Sequence, residues 1–273
     1  MSPPVSSKLH AALKARFSDA PEPPNNLEYL LPIATRGSCR DFTDEPVDRA
    51  LLDSLIATAF SAPTKSDLQQ RDLLIVTDPK IKAALNEACD TQSWVSDAPL
   101  LLVVLGNHRR QQKIHERQNC LFANNHMDAL FNAAVDGGLL LSSLVTCLEF
   151  AGLGTCPISA IRNKPNDVAA ILNLPELVFP VAALAVGWPK SPPTASPRLP
   201  LSVTVHENTF DDSREDALAR QYDATRQYES QRFVEEDGLA DNYGWSEDKA
   251  RQYARSERNT FGQWLKTHGF TLT

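Results

Sequence analysis

The chain has 273 residues, 42% hydrophobic and 22% charged, enough apolar material for one large domain or two small ones with a substantial core. A formal net charge of -7 argues against a general nucleic-acid binder, whose balance is normally basic. Five scattered cysteines with no C-x-x-C pair argue against a disulfide framework or zinc knot, and fit a reducing cytoplasm.

No apolar signal core follows Met1-Ser2-Pro3-Pro4-Val5, so a cytoplasmic protein is expected. Residues 1–26 open with a short helical pattern (Leu9, Ala12, Leu13, Phe17) and run into Pro21-Glu22-Pro23-Pro24-Asn25-Asn26, an extended linker. They read as a peripheral N-terminal arm. After Thr43-Asp44-Glu45-Pro46, apolar residues recur at three- and four-residue spacing from Val47 to Ala59, which predicts a helix stopped before Pro63. Leu73-Leu74-Ile75-Val76 is a short β-prone run, and residues 80–90 read as helix.

The run from Pro99 to Gly106 is continuously apolar and fits a strand covered on both faces. Residues 107–125 form a variable polar connection with room for a helix. Residues 127–150 predict a long buried helix; Asp128, Asp136 and Glu149 within it argue against a membrane span, because charges at those depths are costly in lipid. Its Gly137-Gly138 pair allows another backbone to come close, and a dimer contact is expected there. Gly152-Leu153-Gly154 is a left-handed helix stop. A helix follows from about Asn163 to Leu172, then a second apolar strand from Val178 to Gly187. Proline and serine dominate 189–200, and the tail from about Ser213 is helical and charged, anchored by Tyr222, Tyr228, Trp245 and Trp264. One domain with an extended tail is expected: a core over 27–210 and a helical C-terminal extension over 211–273.

The stretch with the clearest chemistry is Arg36-Gly37-Ser38-Cys39-Arg40-Asp41-Phe42. Guanidinium groups fit phosphate oxygens, and a serine hydroxyl adds one short bond. In extended chain alternate residues share a face, so Arg36, Ser38 and Arg40 can point together while Gly37 and Cys39 point away. That makes an anion clamp for the phosphate of a nucleotide or flavin; the same residues also read as a solvated charged loop. No G-x-G-x-x-G fingerprint, Walker loop, G-x-S-x-G or H-E-x-x-H occurs, and His206-Glu207 alone makes no metal site. The polar loop Ser61 to Gln69 can lie flat against a heterocycle, Gln92 can bond a ring edge, and Arg198 is stiffened between Pro197 and Pro200. Taken singly, these three read equally as a turn, a helix-end amide and a surface arginine.

Taken in order, the landmarks resemble the nitroreductase family, in its branch of oxygen-insensitive NAD(P)H nitroreductases and NADPH–FMN flavin reductases. They are Arg36 to Pro46, Leu68-Gln69, Gln92, Gly152-Leu153-Gly154, Ile161-Arg162-Asn163, Leu174-Pro175, Gly187-Trp188-Pro189, Arg198-Leu199-Pro200 and Val205-His206-Glu207-Asn208. The resemblance implies an α+β fold, with a central, mainly antiparallel sheet flanked by helices. It also implies an intertwined homodimer whose C-terminal extension wraps the partner subunit, and FMN held without a covalent bond.

By the same resemblance Arg36, Gly37, Ser38, Arg40 and Arg198 hold the phosphate. Thr64, Lys65 and Ser66 face the ring, Gln92 contacts it, and Pro157, Ile158, Ser159 and Ala160 cover its second face. No side chain need be an acid or base, and Lys65 is the candidate for an electrostatic role. The implied reaction is ping-pong: NADH or NADPH passes hydride to the flavin, then a nitroaromatic, quinone or free flavin is reduced. Alternatives are a same-fold specialised reaction (dehalogenation, cofactor biosynthesis or ene reduction) and a non-catalytic FMN-binding role.

The chain departs from the branch at Gly37, Thr64-Lys65-Ser66, Ser159, Ala160 and Ser196. Where the branch carries a basic loop for the NADPH 2′-phosphate, it has Glu235, Glu236 and Asp237, whose charge would repel that phosphate.

Overall fold

The computed structural model describes residues 5–24, 26–90, 94–226 and 228–273. They fall into two compact units, Ser38–Pro193 with Arg258–Thr273, and Met1–Gly37 with Thr194–Glu257.

The larger unit is built on four strands: β1 (Arg71–Val76), β2 (Leu100–Asn107), β3 (Gly154–Ile158) and β4 (Val178–Gly187). They form one sheet in the order β1-β2-β4-β3, antiparallel at every pairing. The unbroken apolar run predicts that β2 is covered on both faces, and it is. Leu100, Leu102 and Val104 pack with Leu52, Ala59, Leu140, Leu144 and Leu148 on one side. Leu101, Val103 and Leu105 pack with Leu85, Ala88, Cys89, Ile161 and Val168 on the other. The two-residue period of a strand divides one apolar segment between two cores.

The helices of seven residues or more among the described residues begin with α1 (Val5–Arg16) in the smaller unit. Next come α2 (Arg49–Phe60), α3 (Pro79–Cys89), α4 (Arg109–Gln118), α5 (Met127–Phe150) and α6 (Pro165–Ile171). The charged tail gives α7 (Glu215–Thr225), α8 (Trp245–Tyr253) and α9 (Phe261–Thr267). Asp48 caps α2 through the Leu51 N–H at 2.8 Å, two residues later than the start expected at Val47.

α5 spans the residues expected from sequence and is long and apolar enough to cross a bilayer. It serves as a core helix, burying Ala133, Leu140, Leu144 and Leu148 against the sheet. Gly137 has its reason within the chain: a Cβ there would meet the Val181 side chain at 2.7 Å, so the glycine lets α5 approach β4. Gly138 faces open space.

β3 is the element that sequence did not foresee. Gly154 and Pro157 disguise it, and Pro157 is tolerated because β3 lies at the sheet edge and pairs with β4 alone. α9 also belongs to this unit: Trp264, Leu265 and Phe270 pack with Leu130, Ala133, Phe179 and Leu177.

In the smaller unit the Asp19 carboxylate accepts the N–H groups of Leu201 and Ser202 at 2.7 and 2.8 Å, tying the N-terminal segment to the turn at Leu201–Thr204. Tyr222, buried on α7, meets Trp245 of α8 edge to face with ring centroids 6.0 Å apart.

Candidate functional site

Burial along the 36–40 stretch alternates as extended chain requires. Gly37 and Cys39 are buried, Arg36 and Ser38 are half-buried, and Arg40 is exposed. On the larger unit the cause is visible. The Cys39 N–H donates to the Thr155 carbonyl at 2.9 Å, and Cys39 packs into the core beside Phe42. The Thr43 N–H donates to the Trp188 carbonyl at 2.8 Å, the Lys190 N–H donates to the Asp41 carbonyl at 3.1 Å, and Phe42 bridges to Pro189. Residues 39–43 are thereby pinned, so the side chains of Ser38 and Arg40 are the ones left outside.

On the smaller unit Arg36 and Arg198 are held by a residue that sequence reasoning missed. Arg16, 7% exposed at the end of α1, donates through its guanidinium to the carbonyls of Ala34 and Arg36, and to Ser196 at 3.2 Å. Its own carbonyl accepts the Arg198 N–H at 2.7 Å. Five donors in a fixed fork suit this task, in which one side chain fastens two chain segments. Nothing in the sequence marks Arg16, which stands as one more basic residue in a short helix.

Arg198 itself is exposed and lines a cavity of about 540 Å³ with Tyr222, Arg226, Tyr228, Trp245 and Lys249. The Arg226 guanidinium lies 4.3 Å from the Tyr228 ring centroid. Cations interleaved with aromatic faces suit an anion that carries a planar group.

The expected ring-facing loop lies between α2 and β1. Lys65 and Ser66 are exposed and Thr64 half-buried. Ser66, Asp67 and Gln69 have φ of 48°, 57° and 50°, the left-handed region that non-glycine residues enter rarely. Two buried charges hold this backbone. Asp136 of α5, 0% exposed, accepts the N–H of Lys65 at 2.9 Å on one oxygen and that of Gln70 at 3.0 Å on the other. Arg71, 5% exposed, donates to the carbonyls of Phe60, Ala62 and Pro63 at 2.7, 2.6 and 2.8 Å. Burial pulls the Arg71 guanidinium below its ordinary value and the Asp136 charge pushes it back.

Asp136 had a signal. A carboxylate three residues after Ala133 and four before Leu140, on an otherwise apolar helix face, can only be a buried and satisfied anchor.

Behind the loop a cavity of about 140 Å³ is lined by Lys65, Gln70, His108, His115, His126 and Asp128 among others. His108 Nδ1 is 2.8 Å from Gln70 Nε2, and burial pushes its pKa below the ordinary histidine value. Among the described residues no group of histidine, cysteine and carboxylate side chains is placed to hold a metal ion.

The 157–160 segment follows β3. Pro157 and Ser159 are exposed and Ala160 is half-buried. Ile158 is a correction: it is 5% exposed and its side chain packs into the core, so only its backbone can face a ring. Gly37 likewise contributes backbone alone. Gln92 lies outside the described residues.

The profile of the Nitroreductase family matches residues 33–188, and that of its C-terminal domain matches residues 196–273. An FMN reductase [NAD(P)H] of Bacillus subtilis is 28% identical over 249 residues, covering 90% of this chain and 98% of the relative. An oxygen-insensitive NADPH nitroreductase of Salmonella typhimurium is 33% identical over 191 residues, covering 70% and 78%. The solved structure of NfrA2 from B. megaterium superposes with a TM-score of 0.80 at 30% identity, covering 89% of this chain and 97% of that one.

Proposed function

The chain belongs to the nitroreductase family, and from that premise we propose that it is an FMN-dependent NAD(P)H oxidoreductase acting on nitroaromatics, quinones or free flavin. The observation that carries the reading is the alternation at 36–40. Pinning Cys39 and Phe42 leaves Ser38 and Arg40 directed away from the core, continuous in sequence with Arg36. The Ser38 hydroxyl and Arg40 guanidinium of the larger unit, and the Arg36 and Arg198 guanidiniums of the smaller, are each a donor type that a dianionic phosphate monoester asks for.

When bound, FMN supplies the hydride chemistry. The residues of this chain do the holding. Arg36, Ser38, Arg40 and Arg198 bind the phosphate, while Gly37 lends backbone. The loop at Thr64, Lys65 and Ser66 would face one side of the ring system, the side to which the family resemblance also assigns Gln92. Pro157, Ser159, Ala160 and the Ile158 backbone face the other. Lys65 would supply positive charge beside the bound ring system, an electrostatic contribution that needs no acid or base. Over a cycle NAD(P)H leaves as NAD(P)⁺, and its hydride plus one proton from solvent convert a quinone to a quinol.

A homodimer accompanies this reading. Met127, Phe131, Val135 and Leu139, four residues apart along α5, are 53%, 63%, 42% and 36% exposed in the single chain. An apolar stripe of that length on a core helix calls for a covering surface, and a second copy supplies one with two-fold symmetry.

The test is the visible spectrum of the purified protein before and after anaerobic addition of NADH and of NADPH. Flavin bands that bleach are expected. NADH is expected to act at least as fast as NADPH, because Glu235, Glu236 and Asp237 disfavour an additional phosphate. A protein that is colourless and takes up no added FMN overturns the proposal.

A further inference from the structure

Asp136 is the point on which the strained loop turns. Elsewhere among the described residues left-handed non-glycine backbone occurs at isolated positions, some of which, such as Asp90 and Asn119, end a helix. Ser66, Asp67 and Gln69 end no helix of more than one turn, and three such residues within four positions are not conformations the sequence prefers. Strain of this kind persists only where surroundings over-determine it. Here they do. Arg71 gathers three carbonyls on the entry side of the loop, and Asp136 takes the two N–H groups that bracket its strained part, Lys65 and Gln70. A buried carboxylate is tolerated because both oxygens are engaged and a buried cation stands close by.

Resting on the flavoprotein reading above, we infer that Asp136 is a positioning residue: through the backbone of Lys65 and Gln70 it fixes the loop in its ring-facing shape before the cofactor arrives. The alternative, a loop that folds onto the flavin, would leave those N–H groups to water in the free protein, and the ordering would then weaken FMN binding. A fixed loop also places the Lys65 charge at a set distance from the ring, so that Asp136 acts on the redox properties of a group it does not touch.

Asp136→Asn keeps the volume but replaces one acceptor oxygen by an NH2 that confronts a backbone N–H. The expected result is an FMN dissociation constant raised about tenfold or more. With it come a displaced visible band and a midpoint potential of the bound flavin moved to a more negative value. A Kd within about twofold of wild type and an unchanged potential overturn the inference.

Should this variant fail to fold, hydrogen exchange on the wild-type apoprotein decides. Amides of Lys65 and Gln70 protected before FMN is added support a preset loop; amides that exchange freely until FMN binds overturn it. A wild type that binds no FMN fails the functional reading instead, and leaves the loop protection standing.

Discussion

His108 shows what burial does to a titratable side chain that no bond forces to be charged. It is 2% exposed, its Nδ1 faces an amide NH2, and burial lowers its pKa. The folded protein therefore resists taking up a proton that the unfolded chain accepts near pH 6.5. Stability is fully present above that pH and is lost as pH falls from about 6.5 toward the lower folded value, by at most about 1.4 kcal/mol per pH unit. Urea midpoints at pH 7.5 and 5.5 are expected to separate in the wild type and to draw together in His108→Gln. At this scale the sequence offers candidates where polar side chains reach outward, as at Arg40 and Arg198. It was opaque where a charge works inward. Arg16 is recognised only by the carbonyls it gathers, one of them in a segment distant in the chain, and Arg71 by three carbonyls of the loop before it; Asp136 alone is marked in sequence, by its place on an apolar helix face.

Among the elements, the acidic segment after α7 departs most from what sequence suggests. Its turn, Val234–Asp237, is too short to persist alone, and α8 fastens it. Arg251, 6% exposed, donates to the carbonyls of Arg232 and Gly238 at 2.9 and 2.8 Å. Asp248 receives Arg232, Tyr243 and Lys249 at 3.0, 2.7 and 2.6 Å. Burial opposes the Asp248 charge, but the Lys249 and Tyr243 bonds hold its carboxyl below the ordinary aspartate value. Arg255 lies over the Phe233 ring at 3.7 Å and pairs with Asp237 at 3.0 Å. Arg251→Ala is expected to destabilise the protein by roughly 1.5–3 kcal/mol. Limited proteolysis should then find its first new cut between residues 232 and 241; an unchanged digest would show that the segment stands without α8. Periodicity marked the helices of this tail. The bonds that arrest the turn run from side chain to backbone, and no spacing rule announces those.

For the molecule as a whole, the apolar runs of β2, β4 and α5 marked a mixed helix–sheet protein, and the family resemblance supplied the antiparallel α+β arrangement. β3 was not marked, since glycine and proline mask an edge strand that needs only one partner. The proposed dimer is tested on the exposed stripe of α5. Phe131→Glu places a charge in the middle of that stripe and touches no residue assigned to the phosphate. Light scattering is expected to report a monomer at micromolar concentration where the wild type is a dimer. A variant that remains dimeric would move the interface elsewhere.

The position of β4 carries a consequence for synthesis. β4 lies between β2 and β3, and the unit it centres is completed by α9 and residues 268–273. In chain order β1, β2 and α5 all precede β4, and the cluster around Phe179 is completed only by Trp264, Leu265 and Phe270. Distant pairings of this sort assemble slowly. While the stretch between Asn107 and Val178 is being made, β2 has β1 beside it and still lacks β4, the partner that pairs along its other edge.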